Sequence, residues 1–151
     1  MNKRVSATLI MATVVAASPI GLATSAQAAL QGSGCSISVD GPSYAGRNSS
    51  NEVLLAYPID ITCLKGRTIE VYQEQWEEDG GSNDDYIANS YTDLSFETEG
   101  GSKHVVVSGK LPHTEARNEE MYQKVRFRVT EGHTTSSWTP YERSGASWIW
   151  H

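Results

Sequence analysis

The chain has 151 residues, with 12 Lys and Arg against 18 Asp and Glu, for a formal charge of -6. That length is one domain, and the acidic balance argues against sequence-independent nucleic-acid binding, which rests on cations neutralising phosphates. Four Trp, seven Tyr and two Phe argue against a disordered acidic tail.

Residues 1–28 have the three parts of an export signal. Lys3 and Arg4 form the positive start, Val5 to Ala17 is apolar and uncharged, and Ala26-Gln27-Ala28 gives a cleavage pattern before Ala29. The apolar run is shorter than the roughly 20 residues a membrane-spanning helix needs. The signal resembles those of Gram-positive bacterial secreted proteins. The expected domain division is therefore a signal peptide at 1–28 and a single secreted domain at 29–151, which carries a net charge of -8. No later segment is apolar enough to span a membrane as a helix.

Strand-like alternation then dominates. Cys35, Ile37 and Val39 alternate with polar residues, as do Tyr57, Ile59, Ile61 and Cys63. Both cysteines thus fall on the apolar side of predicted strands. In an exported chain with an even count of two, a disulfide between them is expected. The loop it closes is worth about 3.6 kcal/mol by chain entropy. Ile69 and Val71 continue the pattern, with Tyr72 and Trp76 on the opposite parity.

The segment from Thr68 to Ser102 holds ten acids and no Lys or Arg. Its densest part, Glu77 to Asp85, lies between two strand patterns and includes Gly80-Gly81. Glu77, Asp79 and Asp85 stand at the spacing of an acid, a second acid two positions on, and an Asp six further, followed by Tyr86-Ile87. Over Val71 to Ser90 this resembles the third calcium loop of C2-like β-sandwich domains. The resemblance implies Ca²⁺ held by Glu77, Asp79 and Asp85, helped by Asn83 or Asp84. The chain departs from that pattern in three ways: Glu77 stands for the first Asp, Ala88 for the usual Gly, and the acidic loop supplying the other ligands has no counterpart. A solvated acidic hairpin is the alternative reading of these residues.

Further along, His104 to Val107 is a short apolar run. Leu111 to Asn118 is the one candidate for an exposed inhibitory loop, and Thr114 to Tyr122 reads as a short helix or a loop. Val125, Phe127 and Val129 alternate with Lys124, Arg126 and Arg128, a strand with one wet face. Trp138, Tyr141, Trp148 and Trp150 crowd the end of the chain. On a strand, Trp148 and Trp150 share one face and Ile149 takes the other. These aromatics are either core or a flat binding platform.

The elements predict an all-β fold, an antiparallel β-sandwich or small barrel of about seven strands with one disulfide. No zinc-hydrolase pair, nucleophile elbow or free thiol is present, so no catalytic residue is assigned and a non-enzymatic reading is favoured. The leading functional expectation is a secreted binding module stabilised by calcium through the acidic hairpin. The alternatives are a secreted protease inhibitor and a carbohydrate-binding module using the C-terminal aromatics. The partner expected is an extracellular protein or a polysaccharide, not nucleic acid.

Overall fold

A computed structural model describes residues 30–80, 83–112 and 118–150. The expected signal peptide, most of the proposed inhibitory loop and the first part of the helix candidate lie outside them. The described residues are all-β: β1 (Leu30–Gly32), β2 (Cys35–Val39), β3 (Ser43–Arg47), β4 (Val53–Cys63), β5 (Arg67–Glu77), β6 (Asp85–Ser95), β7 (Gly101–Lys110), β8 (Asn118–Glu131), β9 (Thr134–Thr135), β10 (Glu142–Arg143) and β11 (Ser147–Trp150). No described helix is long and apolar enough to cross a membrane.

Every pairing is antiparallel, and the strands form two sheets. In the first, β7 pairs along nearly the whole of β4, while β2 and β3 lie end to end on the other edge of β4. In the second, β5 sits between β6 and β8, and β9, β10 and β11 follow one another along the far edge of β8. The last seventeen described residues therefore run back beside β8 and widen that sheet. Residues 118–122, expected as the end of a helix or loop, belong to β8. Glu119, Met121 and Gln123 are buried at a period of two, which only a strand can satisfy.

The period-two pattern places the core between the sheets. Ile37, Val39, Ile59 and Ile61 from the first sheet meet Ile69, Val71, Val125, Phe127 and Val129 from the second. Cys35 and Cys63 are register partners on β2 and β4 and are bonded, with S–S 2.08 Å. A second apolar cluster joins Val53, Leu55, Tyr57, Leu111, Met121 and Ile149.

Buried polar side chains, Gln73, Gln75 and Gln123, occupy inward positions on β5 and β8. Gln123, and Gln73 through it, answer to the switch from β2 to β3. Pairing to β2 stops at Ile59 and pairing to β3 starts at Ala56, so the edge of β4 has no strand beside Pro58. Pro58 has no N–H to lose there, but its carbonyl still needs a donor. Gln123 crosses from the other sheet: its Nε2 donates to the carbonyls of Pro58 at 2.9 Å and Asp40 at 2.7 Å. Its Oε1 accepts from Gln73 Nε2 at 2.8 Å, and Gln73 Oε1 accepts from Ser90 at 2.9 Å.

Candidate functional site: an aromatic outer face

The outward positions of the second sheet carry most of the aromatic side chains of the molecule. Tyr72 and Trp76 lie on β5, opposite Tyr91 and Tyr86 of β6 and Arg126 and Tyr122 of β8. Tyr86 and Tyr91 are five residues apart, so a regular strand would send them to opposite faces. A bulge in β6 opposite Gln75 and Trp76 inserts Ile87 and brings both rings outward. The rings touch in series: Tyr72 with Tyr91 at 4.7 Å, Trp138 at 6.4 Å and Tyr141 at 6.4 Å, and Trp76 with Tyr86 at 5.5 Å and Tyr122 at 6.4 Å.

Cations from β8 and β10 lie among these rings. Arg126 is 5.1, 5.0 and 4.8 Å from the ring centres of Tyr72, Trp138 and Tyr141, and Lys124 is 4.0 Å from that of Trp76. Arg128 pairs with Glu70 at 2.5 Å and Arg143 with Glu78 at 2.5 Å. Glu74 accepts from Trp76 Nε1 at 2.9 Å and from the Tyr141 hydroxyl at 2.7 Å. Partial burial, followed by this bond, pushes the Tyr141 hydroxyl up to about 12. Of the β5 carboxylates, Glu70 thus finds a counter-charge on β8, whereas Glu74 is held by two neutral donors.

The four C-terminal aromatics separate into two groups. Trp138 and Tyr141 join the stack over Tyr72. Trp148 and Trp150 pair with Glu120 and Asn118 at the far end of β8 and stand on the same outer face, while Ile149 is buried beneath them. Both rings of this pair lie at the surface and not in the core: Trp148 is 59% and Trp150 71% exposed. They form one wall of a cleft of about 630 Å³ where the edges of β3 and β11 meet, with Tyr44 and Arg47 opposite. Tyr44 is exposed as well. The sequence reading missed Tyr44, Tyr86 and Tyr91. Only the parity of Tyr72 and Trp76 hinted at an outer aromatic face.

The acidic hairpin is present, since β5 and β6 pair from Thr68–Ser95 to Glu77–Asp85. Its expected ligands are differently placed. Glu77 is buried at the end of β5, Asp79 is half-buried in the loop, and Asp85 is exposed at the start of β6. Asp84 accepts from the Tyr122 hydroxyl at 2.6 Å on the outer face, and Asn83 is exposed. Among the described residues no three His, Cys, Asp or Glu stand close enough to hold a metal ion. Of the proposed inhibitory loop, Leu111 is buried and Asn118 starts β8, while 113–117 lie outside the described residues.

No family model matches the chain, and no curated protein matches it. Among solved structures, the chain is similar to one titled as an X-ray structure of Northeast Structural Genomics Consortium target SoR45. Identity is 12% over 77% of this chain and 89% of that one, with a TM-score of 0.36.

Proposed function

We propose that the chain is a secreted, non-enzymatic binding module that takes an extracellular polysaccharide on the aromatic outer face of its second sheet. The observation that carries this reading is the pair Trp148 and Trp150, side by side on β11 and 59% and 71% exposed. Burying an indole is among the larger apolar gains open to a protein, so two left in water on one strand are a cost that a ligand would recover. Alternate strand positions lie about 6.8 Å apart, which sets the two flat rings along a line suited to neighbouring sugar rings. The export signal read at 1–28 and the Cys35–Cys63 bond support secretion.

The test is binding of soluble oligosaccharides and depletion on insoluble polysaccharides, followed by intrinsic tryptophan fluorescence. Trp148→Ala and Trp150→Ala are the variants. Each should weaken binding by about tenfold, the effect of losing one stacked ring, with an unchanged melting temperature because neither ring is core. Absence of binding to every neutral and acidic glycan at millimolar concentration would refute the reading.

A further inference from the structure

We infer that the ligand of this face is an acidic polysaccharide, and that Lys124 and Arg126 receive its carboxylates. The inference rests on the polysaccharide reading above and adds the charge of the ligand. Four cations cluster on this face: Lys124, Arg126 and Arg128 at alternate positions of β8, and Arg143 level with Lys124 on β10. Arg143 and Arg128 are committed, to Glu78 and Glu70. Lys124 and Arg126 are not: among the described residues neither side chain makes an ion pair or a hydrogen bond, and both lie against aromatic rings. Arg126 Nε is buried without a hydrogen-bond partner. A guanidinium has five donors and a buried one normally finds an acceptor. Here Tyr72, Trp138 and Tyr141 hold the group in place and leave its donors unused by the protein.

The acids near these cations are occupied. Glu74, the register partner of Lys124, has its two oxygens engaged by Trp76 and Tyr141. Cations fixed by ring contacts lose little side-chain freedom when an anion arrives, and a planar guanidinium takes a carboxylate on two parallel bonds. Lys124 and Arg126 stand at alternate positions, so their charges repeat about every 6.8 Å along β8. The exposed rings of Tyr91, Tyr141, Trp148 and Trp150 share the same face. Aromatic surfaces interleaved with fixed cations match a chain of sugar rings bearing a carboxylate on successive units. They match an acidic peptide less well, because its backbone offers no flat apolar ring to stack.

The experiment compares three probes of equal length: a polygalacturonate oligomer, a neutral β-1,4-glucan oligomer and a poly-glutamate peptide. Binding to the full mature chain is measured by calorimetry from low to high salt. The polygalacturonate should bind at least about tenfold more tightly than the glucan at low salt, the gain expected of one charge-assisted bond. Rising salt should remove that difference. Arg126→Gln and Lys124→Gln should each weaken polygalacturonate binding more than glucan binding, so that the preference is lost, and Arg126→Lys should restore part of it. Trp148→Ala should weaken both sugars. Should Arg126→Gln fail to fold, Lys124→Gln carries the test alone. Equal affinity for the two sugars, or a preference that survives both substitutions, overturns the inference and leaves the polysaccharide reading standing. Poly-glutamate binding as tight as polygalacturonate overturns the sugar assignment, and no binding of either sugar overturns both.

Discussion

Replacing Gln123 by Leu keeps the volume of the side chain and removes every bond it makes. Three partners are left behind: the carbonyls of Asp40 and Pro58 and the amide of Gln73. Pro58 lies opposite Val106 of β7, and neither β2 nor β3 reaches it from the other side. Each buried polar group so orphaned costs about 1–3 kcal/mol, and together they come to about 3–6 kcal/mol after relaxation. Leu leaves no hole for a water to enter in compensation. Domains of this size have about 5–15 kcal/mol in total, so the variant should fold with a much lower denaturation midpoint. The assay is urea unfolding followed by tryptophan fluorescence, with the slope checked for constancy. Gln75→Leu is the control: that side chain is buried too but makes none of the bonds to Pro58, Asp40 or Gln73, so it should cost less than Gln123→Leu. A Gln123→Leu variant that loses under about 1 kcal/mol, or no more than Gln75→Leu, would show that the bridge between the sheets is not what holds them in register.

Reducing the Cys35–Cys63 bond should lower stability by about 2–5 kcal/mol, read as the difference between denaturation midpoints with and without reductant; an unchanged midpoint would reject a stabilising role. Burial raises the Glu142 carboxyl above its ordinary value, so the charged form is disfavoured in the folded chain. That penalty is absent below the unfolded value and complete once the pH passes the raised folded value. Glu142→Gln should therefore raise the melting temperature at pH 7 and leave it unchanged at pH 3; equal gains at both would indicate another cause. Millimolar Ca²⁺ and Mg²⁺ at equal ionic strength should shift the melt alike, since Glu77 is buried and Tyr122 engages Asp84. A calcium-specific gain of about 1 kcal/mol that Asp79→Asn and Asp85→Asn abolish would instead establish the calcium loop.

Alternation alone determined which of residues 35–39, 57–63 and 124–129 face inward, because a strand gives each side chain only two directions and water sorts them. It carried Val125, Phe127 and Val129 into the core, brought Cys35 and Cys63 to the same apolar side, and turned Tyr72 and Trp76 outward. It also put Trp148 and Trp150 on one face, but it could not say whether that face was covered. Coverage depends on what packs against β11, and only the assembled sandwich shows β3 meeting it at an open cleft. The aromatic outer face was hidden for a related reason. Tyr86 and Tyr91 share a side only because the bulge at Ile87 shifts the register, and a bulge is chosen by the pairing of two strands rather than by either sequence. Gln123 is, in sequence, one polar residue next to the alternation of Val125, Phe127 and Val129. It becomes a requirement once β2 and β3 are seen to leave the Pro58 carbonyl bare, a gap created by residues more than sixty positions away.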